Sequence, residues 1–189
     1  ILLNEGSIQV QGEIAECVQA YMSGTGNRTN GLQYVNSLEE KRTTFIKEIK
    51  LEGTEQFSQG LFDVHTKLML KIKVVVNEFI SGSTPYFDLK RNNEVLYRSF
   101  ASDMDEKLFD GIQPGIYTFT TQLYSPLKKG NYSIDVRLIK ITGSLYDEVN
   151  DAISFEIEEL KYNLMFKSYW HKRPGVIGFV NNWHKEVQE

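Results

Sequence analysis

Asp103, Asp105, Glu106 and Asp110 form a dense group of carboxylates. A pair of carboxylates is what glycoside hydrolysis requires, one as acid and one as nucleophile or base. Clustered carboxylates can also hold calcium, but Asp103-Met-Asp-Glu-Lys lacks the ligand spacing and the central glycine of a calcium loop. The segment reads instead as an acidic, solvated loop. His65, His171 and His184 are scattered, so no His/Cys set has metal-ligand spacing. Cys17 is the one cysteine, which excludes an intrachain disulfide. No serine stands in a Gly-x-Ser-x-Gly elbow. Gly24–Gly31 is glycine-rich like a phosphate loop, but it lacks the Lys-Ser/Thr that would reach phosphate and metal. The sequence points away from catalysis.

A second set of candidates lies on alternating stretches. In Ser125–Ile141, Tyr132, Ile134, Val136 and Leu138 point one way, and Ser133, Asp135 and Arg137 the other. In Tyr86–Lys90, Phe87 and Leu89 share one face, and Tyr86, Asp88 and Lys90 the other. Tyr97 and Arg98 are neighbours in sequence and so point to opposite faces; only one can join the outward set. The candidate residues are therefore Tyr86, Asp88, Lys90, Tyr97, Ser133, Asp135 and Arg137. An aromatic ring stacks on apolar C–H faces, and carboxylate, hydroxyl and guanidinium groups pair with hydroxyls, often bidentately. The competing account is a solvated sheet face with cross-strand charge pairs.

Strands are needed to hold such a face. Thr43–Leu51 gives the first, and Lys67–Asn77 the clearest, with Leu68, Leu70, Ile72, Val74 and Val76 inward and Lys71 and Lys73 outward. Phe57–His65 reads as a loop, and Ser81–Pro85 as a turn. Tyr86–Lys90 and Glu94–Ser102 form a hairpin around Asn92-Asn93, since Asn tolerates the left-handed region. Ile116–Leu123 follows, then the strand after Lys129-Gly130-Asn131, a loop at Gly143–Asn150, and Asp151–Glu158 with Ile153, Phe155 and Ile157 inward. A last short strand is expected at Val176–Trp183 after Pro174-Gly175. Short alternating strands without helices between them argue for an all-β fold, an antiparallel β-sandwich.

The N-terminal part differs. Residues 1–22 read as a short hairpin turning at Glu5-Gly6, then a helix in which Ile14, Ala15, Val18 and Tyr21 recur at helical spacing. Residues 23–42, rich in Gly, Asn, Ser and Thr, read as a linker. The chain of 189 residues is 41% hydrophobic and 24% charged, an ordinary folded composition, and its net charge of −4 argues against a nucleic-acid partner. It opens on Ile rather than Met, as a fragment of something longer would.

Three motifs in order carry a family resemblance: Phe62-Asp-Val-His-Thr-Lys-Leu-Met-Leu-Lys-Ile, Pro126-Leu-Lys-Lys-Gly-Asn-Tyr-Ser-Ile-Asp-Val, and Arg173-Pro-Gly-Val-Ile with Trp183 near the end. Residues 43–189 resemble the C-terminal carbohydrate-binding domain of Wzt-type proteins, the ATPase subunits of bacterial ABC transporters that export O-antigen and related polysaccharides. Leu3, Gly6, Gly12, Val18, Ala20 and Tyr21 resemble the tail of the ATPase domain. His65 and Asn92-Asn93 depart from the family, which often has Gly and Asp-Gly at these turns. The resemblance implies an immunoglobulin-like or jelly-roll-like sandwich that dimerises by exchanging C-terminal strands. It implies recognition of the non-reducing end of a finished glycan, often through a terminal modification. It also implies a cytoplasmic location at the inner membrane with a permease partner, and no cofactor in this segment, ATP and Mg belonging to the ATPase domain. Trp183 is expected to pack in the core or interface, and Trp170 to lie in a loop.

Overall fold

The computed structural model describes residues 2–4, 7–12, 28–29, 31–37, 41–56, 60–103, 111–123, 127–140, 142–160 and 175–176. The helix expected before Tyr21, the last strand, Trp170 and Trp183 lie outside these residues. β1 (Leu2–Asn4) and β2 (Ser7–Val10) pair antiparallel, as the hairpin reading requires.

The remaining strands are β3 (Arg28–Thr29), β4 (Gln33–Val35), β5 (Thr44–Gly53), β6 (Leu61–Asp63), β7 (Leu68–Val76), β8 (Ser83–Arg91), β9 (Glu94–Phe100), β10 (Gly115–Gln122), β11 (Gly130–Lys140) and β12 (Leu145–Glu158). They form two five-stranded sheets, ordered β10-β7-β5-β4-β3 and β6-β12-β11-β8-β9. β7 shows why this sequence makes this fold. Every second side chain from Leu68 to Val76 is buried, and Lys71 and Lys73 between them ion-pair with Glu52 and Glu48 on β5. One face of each sheet supplies the core, in which Ile46, Ile49, Leu70, Ile72 and Val74 share one apolar cluster with Phe87, Leu89, Ile134, Val136 and Ile153. The architecture is an all-β, two-sheet sandwich.

Specific bonds tie the sheets together. Ser154 N–H on β12 donates to the Gly31 carbonyl at 2.8 Å. The Ile46 N–H, beside a bulge in β5, is satisfied by the Asp147 carboxylate of β12 at 2.8 Å. At the β8–β9 turn, Asn92 and Asn93 both take positive φ, 52° and 64°, as a two-residue hairpin of this hand demands.

Four expectations are corrected. Residues 28–29 and 33–35, read as linker, form β3 and β4, because β4 pairs with β5 and tertiary pairing overrides a turn-rich composition. Leu61–Asp63, read as loop, is β6, and it pairs parallel with β12, so the sandwich is not wholly antiparallel. Ser83–Pro85, read as turn, begins β8. β12 starts at Leu145, inside the expected loop.

The family motifs now have structural jobs. Phe62 is fully buried, and Asp63 accepts the N–H groups of His65 at 3.0 Å and Leu160 at 2.9 Å, fixing the turn after β6 and the end of β12. The Tyr132 hydroxyl donates to the Lys128 carbonyl four residues upstream at 2.5 Å, and the Tyr132 ring stacks on Phe155. Gly130, at φ 153°, leaves room for the Arg91 guanidinium, which donates to the Lys129 carbonyl. The Lys128 N–H donates to the Val176 carbonyl, joining the second motif to the third.

Candidate functional site

β8 runs between β11 and β9 in the second sheet, so its outward residues have partners on both sides. Asp88 stands opposite Asp135 on β11 and Arg98 on β9. Tyr86 stands opposite Arg137 and Phe100. Like charges opposite one another are destabilising, and cations reaching across from Arg98, Arg137 and Lys90 resolve the Asp88–Asp135 pair. Arg98 grips Asp88 through Nε at 2.6 Å and Nη2 at 2.8 Å. Arg137 Nη1 donates to the other side of the same carboxylate at 2.9 Å. Lys90 lies between Asp135 at 2.6 Å and Asp151 at 2.8 Å.

β12 adds a third row. Asn150, Asp151 and Ala152 stand opposite the single residue Asp135, and this bulge holds Asp151 at φ 47°. It brings Asn150 to Arg137 Nη2 at 3.1 Å, while Glu148 accepts from Arg137 Nε at 3.2 Å. The Asp151 N–H donates to Asp135 at 2.7 Å.

The electrostatics follow from these contacts. The Arg98 hydrogen bonds outweigh burial and hold the Asp88 carboxyl below its ordinary value, and the same pairing raises Arg98. Burial pulls Lys90 down, but its bonds to Asp135 and Asp151 together win and raise it. Arg137 is raised as well, its Glu148 bond and the other neighbouring groups overcoming its desolvation.

The structure gathers Tyr86, Asp88, Lys90, Ser133, Asp135 and Arg137 on one face, with Ser133 opposite Lys90. Tyr97 is not among them. It stands opposite Leu89 and packs edge-on against Phe87 at 5.8 Å, on the inward side, and Arg98 takes its place. The cross-strand charge pairs of the competing account are present, but the floor of the face is not solvated. Tyr86 is 8% exposed, Asp135 6% and Asp88 2%. The long cationic side chains cover them: Arg98 lies 4.6 Å and Arg137 6.0 Å from the centre of the Tyr86 ring, and Phe100 packs against it at 4.7 Å. Tyr86 is therefore a floor, not an open stacking platform. Arg98, Glu148 and Asp151 reach solvent, each with nearly half of its side chain exposed. Glu148, Asn150 and Asp151 were missed because their polar run reads as loop; the alternation of Glu148 and Asn150 about Val149 was the available signal.

Of the acidic group, Asp103 uses its carboxylate to accept the Phe100 N–H at 2.9 Å. Asp105, Glu106 and Asp110 lie outside the described residues. Among the described residues no group of three or more His, Cys, Asp or Glu is placed to hold a metal ion, and no described helix is long and apolar enough to cross a membrane.

The described strands thus form a two-sheet β fold with one outward face organised into a connected polar network. Residues 39–175 match the Wzt C-terminal domain family, and the chain belongs to that family. Its fold is similar to that of a solved structure described as the crystal structure of the C-terminal domain of wzt, with TM-score 0.61 and 14% identity, covering 84% of this chain and 93% of that chain. Weaker likenesses are to the CARDB domain of a Pyrococcus furiosus protein (TM-score 0.32, 8% identity, 62% and 98% covered) and to the soluble domain of PmoD from a Methylocystis species (TM-score 0.29, 10% identity, 59% and 91% covered). Comparison with curated proteins gives no sequence match.

Proposed function

We propose that the outer face of the second sheet binds a bacterial polysaccharide at its non-reducing end, as the non-catalytic recognition domain of an O-antigen-like ABC export system. The observation that carries this reading is the family match over residues 39–175. The polar network supports it chemically. Hydroxyl-rich ligands are bound by carboxylates and guanidinium groups fixed in place beforehand, and each rim group here is held by a neighbour. Arg98, Glu148, Asn150 and Asp151 are the contact residues in this proposal; Asp88, Lys90, Asp135, Arg137, Ser133 and Tyr86 hold them from below.

The wider assignments belong to the same proposal. Residues 1–22 are the tail of an ATPase domain, which would bind ATP and Mg and meet a membrane permease at the cytoplasmic face. The sandwich is taken as immunoglobulin-like or jelly-roll-like, and two chains pair by exchanging C-terminal strands. Deleting residues 174–189 tests the pairing: monomers in sedimentation support it, and an unchanged dimer removes it.

Calorimetric titration with the host's own polysaccharide and with an unrelated one tests the binding reading. We expect a dissociation constant in the range of about millimolar to micromolar for the cognate chain, with two sites on a dimer adding avidity if one glycan reaches both. Glu148→Ala and Asp151→Asn should weaken it roughly tenfold each, since a hydrogen bond to a charged group contributes about 1.5–3 kcal/mol. A cognate chain that does not bind, or variants that bind unchanged, overturns the assignment.

A further inference from the structure

We infer that the terminus recognised by this face carries no negative charge, an inference that rests on the glycan-binding reading above. Four carboxylates, Asp88, Asp135, Glu148 and Asp151, face three cations, Lys90, Arg98 and Arg137. Among the described residues the patch is acid-rich.

Apart from the outer edge of Arg98, the cations are committed. Arg137 spends Nε on Glu148, Nη1 on Asp88 and Nη2 on Asn150. Arg98 spends Nε and Nη2 on Asp88. The Lys90 ammonium is held by two carboxylates and is largely buried between them. A phosphate or uronate would find only the outer edge of Arg98 open to it; to be paired by a second cation it would have to draw a guanidinium away from Asp88. That would leave a carboxylate 2% exposed with its pairing broken, which is the expensive way to take apart a buried ion pair. It would also bring an anion up to Glu148 and Asp151, the two carboxylates at the rim, and like charges repel there.

A neutral polyol meets neither obstacle. Its hydroxyls donate to the Glu148 and Asp151 carboxylates and accept from the outer edge of the Arg98 guanidinium, while every internal pair stays closed. The network thus acts as a charge filter: it presents hydrogen-bonding groups outward and keeps its positive charge bound inward. Any modification that marks the end of the chain would be an uncharged one, such as an ether or an ester.

The test uses the 189-residue chain and the host's polysaccharide in three forms: intact, freed of phosphoesters with aqueous hydrogen fluoride, and carboxyl-reduced. We expect dissociation constants within about twofold of one another, and little change between about 50 and 500 mM NaCl, because an uncharged ligand has no Coulomb attraction for salt to screen. Glu148→Gln should weaken binding about tenfold by removing a charged acceptor. Loss of binding when the glycan's charges are removed, or tighter binding by Glu148→Gln, overturns the inference while leaving glycan recognition standing. Failure of the intact polysaccharide to bind overturns the glycan reading, and the inference with it.

Discussion

Arg98 on β9 and Asp88 on β8 stand directly opposite one another, and the guanidinium closes on the carboxylate with two bonds of 2.6 and 2.8 Å. The carboxylate is buried and the guanidinium is nearly half-exposed, so the pair runs from the floor of the face to its surface. Arg137 holds the same carboxylate from the other side. Three adjacent strands are thereby joined through one side chain.

Asp88→Asn keeps the shape and removes the charge. Two guanidinium groups then face a neutral amide, but Arg98 can turn toward water. We expect a loss of about 1–3 kcal/mol, below the full cost of breaking a wholly buried pair. Arg98→Ala should cost less, roughly 0.5–1.5 kcal/mol, from its bonds and its cover over Tyr86. Denaturant unfolding measures both. Equal stability of Asp88→Asn and the unaltered chain would show that the network does not hold the sheet.

The same pair sets a pH dependence. The folded-state value of Asp88 lies below its ordinary 3.8, so the unfolded chain binds its proton first as pH falls. The contribution of Asp88 is complete above about pH 5 and is lost progressively as pH falls through the folded value. Lys90, Arg98 and Arg137 are raised; they stay charged in both the folded and the unfolded chain throughout the acid range, so their own titration adds no slope there. The stability gap between the unaltered chain and Asp88→Asn should therefore narrow from pH 6 to pH 3. A gap that stays constant, read from denaturation midpoints across that range, would contradict the assignment.

Asp63 offers a test of a family motif. Its carboxylate is buried and accepts two backbone N–H groups, from His65 and Leu160. Asp63→Ala removes both acceptors and should cost about 2–4 kcal/mol, at roughly 1–3 kcal/mol for each buried donor left unsatisfied and with partial relief from water. Asp63→Asn retains one acceptor oxygen and should cost less. Faster hydrogen exchange at the Leu160 amide in the alanine variant would locate the damage; an unchanged rate would mean that Leu160 is held by other contacts.

Much of the fold was legible because period-two alternation is strong wherever one sheet face is buried. Leu68 to Val76 announces β7, and Tyr132 to Leu138 the core side of β11. Asn92-Asn93 announces its hairpin through the left-handed tolerance of Asn. β6 escaped because three residues show no period, and its parallel pairing with β12 is a long-range event. β3 and β4 escaped because β5 supplies what their composition lacks. In the candidate site, alternation told which residues share a face. It could not tell that Arg98 and Arg137 fold back over Tyr86, since that depends on register between three strands. Nor could it show the β12 bulge, where three residues oppose one and deliver Asp151 to Lys90.

Gly53 ends β5 opposite Leu68, and a β-carbon there would lie 2.6 Å from Phe62 Cε1, 2.7 Å from Phe62 Cδ1 and 2.9 Å from Thr66 Cγ2. Two effects compete in Gly53→Ala. A less flexible unfolded chain favours the variant by about 0.4–1 kcal/mol where the site has room. Here the obstacle is a fully buried ring, itself packed edge-on against Phe155 at 6.2 Å, and cores near crystal density shift at a cost. Overpacking should win, for a net loss of roughly 1–3 kcal/mol. If the Phe62 ring is the obstacle, Gly53→Ala and Phe62→Leu should be coupled: the double variant should be more stable than the sum of the two single losses predicts, by about 0.5 kcal/mol or more. Additive losses, or a raised melting temperature for Gly53→Ala alone, would mean that Phe62 moves aside freely and that Gly53 is not required by the packing of the first family motif.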